Sequence, residues 1–284
     1  MKLEHARGSL ELDRCLVMGI VNRTPDSFYD GGRMGLSESV DHAHRLVDEG
    51  ADILDVGAVK AGPGEEVSLD EEADRLLPLV AALAADPTPL SIETAHPEVA
   101  RRALEAGAAM VNDVSGLADP ELADVCARTG AALVLMHHGG QIRGRPRAPQ
   151  YEDIVADVIA VWARLAGVAT ARGVASEGIV VDPGLDFGKN TFHSLELMRR
   201  LDELVATGRP VLVAPSRKDV VGETLDLPLD QRLEGTLALV ALSAQEGAAI
   251  VRVHDVAASV RTVRMVEAVR GIRPPVAPVR GLWD

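Results

Sequence analysis

Short apolar segments recur along the chain and are separated by longer amphipathic ones. The short segments are rich in Val, Ile and Leu and show no clean alternation of apolar and polar side chains. This pattern is typical of strands that are buried on both faces of a parallel sheet. The predicted strands cover residues 15–22, 52–57, 89–94, 110–115, 132–138, 178–184, 210–216 and 248–255.

Between these strands, apolar residues recur at the spacing of an amphipathic helix. The predicted helices cover residues 37–49, 70–83, 97–106, 120–128, 151–172, 194–205, 231–246 and 256–269. Ser37 and Asp70 are the predicted N-caps of the first two helices. Glycines stand where five of the segments should end, at Gly50, Gly107, Gly130, Gly173 and Gly208.

Strand and helix alternate with no break in composition, which predicts an α/β fold in the form of a single (β/α)8 TIM barrel. A doubly wound open sheet is the competing architecture. It would be favoured by a Gly-x-Gly-x-x-Gly turn after the first strand, and residues 22–32 contain none. We expect one domain over residues 1–284, with an N-terminal lead-in at 1–14 and an irregular tail at 271–284.

Composition and charge narrow the possible partners. A length of 284 residues and a hydrophobic fraction of 47% suit one barrel with an ample core. The net charge of −14 favours a soluble protein and disfavours nucleic acid or an anionic membrane as a partner. The longest apolar runs have the length of strands, so we expect no segment to span a bilayer.

Residues 1–5 open no secretory signal peptide, and the two cysteines have no metal-binding spacing. We expect Cys15 and Cys126 to remain buried thiols. Together with the acidic composition, these features predict a cytoplasmic protein.

Polar side chains stand at the carboxyl ends of the predicted strands, where TIM barrels place their active sites. In chain order they are Asn22, Asp55, Glu93, Asn112 with Asp113, His137 with His138, Asp182, Ser216-Arg217-Lys218, and Arg252 with His254. Amides and carboxylates dominate the first six strands, whereas basic groups follow the last two. Basic groups placed together against the overall negative charge indicate an anion-facing site.

These residue types suit a flat heterocycle with an anionic tail. Asp182 can accept two hydrogen bonds from an amino-pyrimidine edge, Asn112 can both donate and accept, and Lys218 can donate to a carbonyl or ring nitrogen. Arg252 and His254 are two residues apart on a strand and share a face, where they would bind the tail. Each such bond to a charged partner contributes about 1.5–3 kcal/mol when it is desolvated.

Some of these residues also have purely structural explanations. Asp182 precedes Pro183 and could form a turn, and we expect Asp55 to be a buried structural acid. His137 and His138 are adjacent on a strand, so their side chains point to opposite faces. We therefore expect both to be satisfied core or loop histidines and not a metal-binding pair.

The ordered set of motifs resembles the pterin-binding family to which dihydropteroate synthase belongs. The similarity extends over nearly the whole chain, from residue 15 to residue 269. It comprises MGIVN at 18–22, TPDSF at 24–28, NDVSG at 112–116, Met136-His137, DPG at 182–184 with FGK at 187–189, SRK at 216–218 and RVHDV at 252–256. Any one motif is weak, but the ordered set is highly specific.

The resemblance implies a transferase of folate biosynthesis. Such an enzyme condenses 6-hydroxymethyl-7,8-dihydropterin diphosphate with p-aminobenzoate and releases diphosphate. Stabilisation of the leaving group by cations and a metal is its main catalytic demand. The resemblance also implies a homodimer and Mg²⁺ as the cofactor.

The roles implied by the resemblance fall into four sets. The pterin would contact Glu93, Asn112, Met136, Asp182, Phe187 and Lys218, and the arylamine would contact Phe28, Pro63 and Ser216. The diphosphate would contact Asn22, Arg252 and His254, with Mg²⁺ bound at Asn22. Lys218, Arg252 and His254 would be the catalytic residues.

The chain departs from the family pattern mainly in the loops expected near the second substrate. Residues 57–64 read GAVKAGPG where the family has a GGESTRPG-like loop, so Ala61 and Gly62 replace the usual threonine and arginine. Glu93 replaces an aspartate and Asp186 replaces a glycine. Losing the loop arginine would cost roughly 10²-fold in rate. Arg23 and Lys60 add cations on the first two loops.

These departures leave three hypotheses for the function. The first is a dihydropteroate synthase-like transferase with reduced or altered activity. The second is a catalytically degenerate paralogue that binds a pterin or phosphate ligand without turnover. The third is a methyltransferase that binds a methylated pterin; it would bring a corrinoid partner and would not need Arg252 or His254 near a diphosphate.

Overall fold

The computed structural model describes residues 1–22, 35–59, 67–139 and 149–280. Two short strands, β1 (Lys2–His5) and β2 (Gly8–Glu11), form an antiparallel hairpin before the main sheet. The parallel strands are β3 (Leu16–Asn22), β4 (Ile53–Gly57), β5 (Leu90–Glu93), β6 (Met110–Asp113), β7 (Ala132–Met136), β8 (Ile179–Asp182), β9 (Leu212–Val213) and β10 (Ile250–Val253).

The parallel strands lie in the order β8-β7-β6-β5-β4-β3-β10-β9. A parallel bridge between Val181 and Val211 joins the two outermost strands of this order. The sheet is therefore wound into a barrel, which confirms the predicted (β/α)8 TIM architecture.

Helices follow the strands around the outside of the barrel. They are α1 (Leu36–Asp48), α2 (Leu69–Leu83), α3 (Pro97–Glu105), α4 (Glu121–Thr129), α5 (Ile154–Ala171), α6 (Thr191–Arg199), α7 (Leu201–Val205), α8 (Asp219–Leu225), α9 (Leu233–Glu246) and α10 (Val256–Val269). The five glycines predicted to end helices all have positive φ angles, which glycine adopts without strain.

Several element boundaries differ from the prediction. Ser37 and Asp70 lie inside α1 and α2, whose N-caps are Gly35 and Ser68. The Ser68 hydroxyl accepts a hydrogen bond from the Glu71 backbone N–H at 3.3 Å, so it satisfies the first turn of α2. The helix predicted at 194–205 is two helices, α6 and α7, and the short helix α8 was not predicted.

The predicted N-terminal lead-in contains the β1–β2 hairpin, which packs at the amino ends of the barrel strands. Leu3 is fully buried and joins an apolar cluster with inward-facing strand residues such as Met18, Ile53 and Ile250. The Ala6 backbone N–H donates to the carbonyl of Ala109, just before β6. The hairpin therefore covers the end of the barrel opposite the polar strand ends.

Helix α5 is long and apolar enough, by length and composition, to cross a membrane. This corrects the expectation that no segment of the chain would be long and apolar enough to span a bilayer. The indole N–H of Trp162, on its buried face, donates to the Asp182 carbonyl at 3.1 Å. Helices of soluble proteins can meet the same two criteria, and the buried face of α5 packs against β8 through this contact.

Candidate active site

The register of the sheet brings four predicted strand ends into one row. Asn22 pairs with Gly57, Gly57 with Glu93, and Glu93 with Asn112. A Cβ at Gly57 would lie 3.6 Å from the Asn22 Oδ1 and 3.8 Å from the Glu93 Cβ. Because glycine has no side chain there, the Asn22 amide and the Glu93 carboxylate face each other with little between them.

The Arg252 guanidinium lies between two buried carboxylates. Its Nε donates to Asp55 Oδ2 at 2.6 Å, and its Nη2 donates to Glu93 Oε2 at 2.6 Å. The Asn112 side-chain amide donates to the same Asp55 oxygen at 3.0 Å. One network therefore joins β4, β5, β6 and β10 across the mouth of the barrel.

Asp55 is fully buried, as expected, and its Oδ2 accepts from both Arg252 and Asn112, so it also forms part of the site. Its second oxygen, Oδ1, is buried and has no hydrogen-bond partner among the residues that the structure describes. An unpaired buried acceptor is costly, so this oxygen is suited to receive a hydrogen bond from a ligand. Asp55 and Gly57 are two residues apart on β4 and therefore face the same side of the sheet. This spacing could have identified Asp55 as a site residue from the sequence.

The charges of this network depend on one another. Burial raises the pKa of Glu93 to about 7, against the opposing effect of the Arg252 guanidinium. Burial works to lower the pKa of Arg252, but the carboxylates of Asp55 and Glu93 outweigh it, and that pKa rises. Arg252 therefore remains charged, whereas Glu93 can exchange a proton near neutral pH.

Lys218 lies on the other side of the mouth, beside Asp182 and Phe187. Its ammonium donates to the Leu185 carbonyl at 2.7 Å and lies 4.8 Å from the centre of the Phe187 ring. Burial lowers the pKa of Lys218, and the carboxylate of Asp182 opposes this shift most strongly. Burial raises the pKa of Asp182, and Lys218 in turn opposes that shift. The two groups therefore stabilise each other's charge.

The Ser216-Arg217-Lys218 segment directs its side chains to different places. The Ser216 Oγ and the His254 Nδ1 are 2.9 Å apart, which brings together two predicted ligand-binding residues. Arg217 turns away, at a left-handed φ of 55°, and donates twice to the Asp255 carboxylate at 2.9 Å. Arg217 therefore ties the loops after β9 and β10 together.

His137 and Lys189 form a buried pair beneath the loop that carries Phe187. The Lys189 ammonium has four acceptors at 2.8–3.0 Å, namely His137 Nδ1 and the carbonyls of His137, Gly184 and Phe187, and its three N–H groups are shared among them. Because an ammonium can only donate, His137 Nδ1 accepts, and Nε2 carries the proton toward Asp157 at 2.7 Å. Lys189 was not predicted as a site residue, although it ends the FGK motif.

The expectation that both histidines have their polar atoms satisfied is confirmed for His137. Both ring nitrogens of His137 have partners, and burial, followed by the charge of Lys189, lowers its pKa to about 4. The expectation is wrong for His138, whose Nδ1 is buried without a partner among the described residues. His138 follows β7, where the chain leaves the sheet and its ladder of hydrogen bonds ends.

Replacing Lys189 with methionine should make stability less dependent on pH above neutrality. Burial lowers the pKa of Lys189 to about 7, from an ordinary value of 10.5. Between these values the unfolded chain binds one more proton than the native protein, so wild-type stability rises with pH. Lys189→Met lacks this gain. Its free energy of unfolding, measured by urea denaturation, should therefore fall further below that of the wild type from pH 7 to pH 9.

The exposed Lys2, paired with Glu11, provides the control. The difference in stability between Lys2→Met and the wild type should stay constant over the same pH range. A Lys189→Met deficit that also stayed constant would contradict the depressed pKa.

The remaining predicted residues are placed as follows. Met136 is buried at the end of β7 and pairs with Asp182 in the register of the sheet. Phe28 and Pro63, the predicted arylamine contacts, lie outside the described residues, as do Arg23 and Lys60.

Within the described part of the chain, no group of three or more His, Cys, Asp or Glu side chains could hold a metal ion. Cys15 and Cys126 are free, buried thiols, as predicted.

The sequence matches the family described as "Pterin binding enzyme" over residues 18–254. A relative named "Inactive dihydropteroate synthase 2", from Mycobacterium tuberculosis, is 50% identical over 278 residues, which cover 95% of this chain and 87% of the relative. Dihydropteroate synthase from Escherichia coli is 40% identical over 271 residues, which cover 94% of this chain and 96% of the relative.

A solved structure shows the same architecture. The crystal structure of Yersinia pestis dihydropteroate synthase with a sulfonamide drug complex superimposes with a TM-score of 0.91 at 38% identity, covering 96% of this chain and 100% of that one. The sequence match, the barrel and the order of polar strand ends all agree. The chain belongs to the dihydropteroate synthase family of pterin-binding enzymes.

Proposed function

We propose that the protein binds 6-hydroxymethyl-7,8-dihydropterin diphosphate and transfers its pterin-methyl group to p-aminobenzoate. The C–O bond to the diphosphate breaks, a C–N bond forms at the exocyclic methylene, and the amine gives up a proton. The observation that carries this proposal is the buried network of Asn112, Asp55, Glu93 and Arg252 beside the Asp182–Lys218 pair.

The polar groups of this network suit a pterin ring. The carboxylate of Asp182 and the unpartnered oxygen of Asp55 can accept from the amino and ring N–H groups. Lys218 can donate to the ring carbonyl or a ring nitrogen while it keeps its bond to the Leu185 carbonyl, because an ammonium has three N–H groups. Met136 and Phe187 provide the apolar wall against which a flat ring packs.

Arg252 and His254 are proposed to bind the diphosphate and stabilise it as it leaves. Preorganised cations at the developing negative charge usually provide the largest part of such catalysis. In this chain the Arg252 guanidinium is already paired with two carboxylates, so the diphosphate has to compete with Glu93 for it. This competition is a physical reason for reduced activity.

Asn22 is the proposed contact for Mg²⁺. Its amide oxygen faces the space above Gly57, beside the Glu93 carboxylate. One amide oxygen suits a magnesium ion that keeps most of its ligands as phosphate oxygens and waters. Bound there, the ion would neutralise the charge that develops on the leaving diphosphate.

Binding without turnover is the second candidate function. It is favoured by the name of the M. tuberculosis relative, at 50% identity, and by Ala61 and Gly62 in place of the usual threonine and arginine. A protein of this kind would retain the pterin contacts of Asn112, Asp182 and Lys218 and would not release diphosphate.

Calorimetry in two stages separates these functions. The protein is titrated first with the pterin diphosphate and Mg²⁺, and p-aminobenzoate is then added while released diphosphate is measured. We expect saturable binding in the first stage and slow release in the second, with the E. coli synthase as the positive control. Binding without release would favour the second candidate, and absence of binding would reject both.

We also propose that the protein is a cytoplasmic homodimer. Helices α9 and α10 pack together and expose apolar side chains, among them Leu242, Met265 and Val269. Such side chains are costly in contact with water, and a second copy of the chain would cover them. Sedimentation equilibrium that gave a monomer mass would contradict the dimer.

A further inference from the structure

Asp186 has a backbone conformation that glycine adopts far more readily than other residues. Its φ angle of 67° lies in the left-handed region, where a Cβ crowds the backbone. The residue lies between β8 and α6, directly before Phe187. A glycine would relieve this strain, so the carboxylate that Asp186 provides must offset a local cost.

The carboxylate of Asp186 connects two helices. Its Oδ2 accepts from the backbone N–H of Val220 at 3.1 Å, and its Oδ1 accepts from the hydroxyl of Ser194 at 3.1 Å. The same Ser194 oxygen accepts from the Asp186 backbone N–H, also at 3.1 Å. Because Ser194 is fully buried in α6, this end of the connection is rigid.

The other end of the connection fixes the first turn of α8. Val220 is the second residue of α8, and the N-cap Lys218 makes no capping bond with its own side chain. The N–H groups of a first turn have no partner inside their helix and need an acceptor from elsewhere. Asp186 supplies one, and it thereby holds the backbone two residues beyond Lys218.

The residues on either side of Asp186 hold the side chain of Lys218. The Leu185 carbonyl accepts from the ammonium, and the Phe187 ring lies beneath it. The ammonium is also influenced by the carboxylates of Asp182, Asp186 and Glu93 and by the Arg252 guanidinium. Burial lowers the pKa of Lys218, and after Asp182 the carboxylate of Asp186 opposes this shift most.

We propose that Asp186 is a positioning residue that fixes Lys218, through the first turn of α8, for contact with the pterin ring. The inference deepens the proposed function and rests on it for the identity of the ligand. Asp186 takes no part in bond making or breaking. Its role is to keep the ammonium in place and to support its charge.

The matched variants are Asp186→Gly and Asp226→Gly. Asp226 also has a left-handed φ, of 55°, but it lies at the opposite end of α8 and its side chain is exposed. Both glycine substitutions remove backbone strain, and only the first removes the acceptor of Val220. Asp186→Asn keeps an acceptor oxygen and removes the charge.

The first readout is the Kd of 6-hydroxymethylpterin, measured by fluorescence from pH 6.5 to pH 8.5. Asp186→Gly should weaken binding about tenfold at pH 8.5 and less at pH 6.5. Without the Asp186 carboxylate the pKa of Lys218 falls further, so at the higher pH a larger fraction of Lys218 has lost its proton. Asp186→Asn should show the pH-dependent part of this loss only, and Asp226→Gly should bind within about twofold of wild type. Equal losses in the two glycine variants, or a loss independent of pH, would overturn the proposal.

The second readout needs no ligand and therefore separates this proposal from the proposed function. Hydrogen exchange at residues 219–222 should be about tenfold faster in Asp186→Gly, and unchanged in Asp226→Gly. If the wild type bound no pterin, the proposed function would fail, and unchanged exchange in Asp186→Gly would independently overturn the role of Asp186.

Discussion

Replacing Arg252 with alanine is expected to lower the free energy of unfolding by about 3–5 kcal/mol, since it leaves buried carboxylates without their cation. Asp55 is fully buried and Glu93 is 8% exposed, so water cannot replace the guanidinium. The same variant should lose affinity for diphosphate, because the proposed anion contact is gone. Urea denaturation and diphosphate titration measure the two effects.

The loss should depend on pH. The pKa of Glu93 is raised to about 7 by burial even in the presence of Arg252, and removing the guanidinium raises it further. An acid with a raised native pKa contributes stability below its unfolded value of 4.5, and this contribution is lost as pH rises through the native value. The free energy of unfolding of Arg252→Ala should therefore be nearest to that of the wild type at about pH 5 and furthest below it at about pH 8.

Arg101→Ala is the matched control. Arg101 also lies between two carboxylates, those of Glu98 and Glu105, but the whole group is exposed on α3. Its removal should change stability little, since exposed ion pairs contribute little. Comparable losses in Arg252→Ala and Arg101→Ala would show that the buried network has no special role.

Replacing Lys218 with alanine is expected to raise the Kd for the pterin by roughly 10- to 150-fold, which corresponds to the loss of one desolvated, charge-assisted hydrogen bond. Stability should change much less, because removing a buried ammonium also removes the cost of its desolvation. Fluorescence titration with 6-hydroxymethylpterin measures the affinity, and thermal unfolding measures the stability.

Two further variants make this result specific. Lys218→Met keeps most of the side-chain volume and should lose as much affinity as Lys218→Ala, whereas the exposed Lys2→Ala should bind normally. Normal pterin binding by Lys218→Ala would reject the arrangement of the site proposed here, whatever the turnover of the wild type.

The fold and the outline of the site could be predicted because they depend on short-range patterns. Apolar runs gave the strands, and the carboxyl ends of parallel strands must meet at one end of a barrel. Asn22, Gly57, Glu93 and Asn112 therefore form one row, and Ser216 lies beside His254. None of this required knowledge of side-chain conformations.

The contacts across the barrel mouth could not be predicted in the same way. Whether Glu93 reaches Arg252 depends on distances between non-adjacent strands and on one additional methylene. The left-handed φ of Asp186 and the buried contacts of Lys189 depend on a loop conformation that no periodicity encodes. The hairpin β1–β2 and helix α8 are each too short to give a clear pattern.

The shortness of β9 has a consequence for how the segment that carries Lys218 is held. The strand has only two residues in the sheet, and the link to β8 is a bridge between Val181 and Val211, the residue before β9. The segment that follows is held mainly by side-chain contacts, such as the ion pair between Arg217 and Asp255, and not by a continuous ladder of backbone hydrogen bonds. We expect substitutions there to move the ammonium of Lys218 relative to the proposed pterin site while the barrel wall stays intact, so ligand preference can change without loss of the fold.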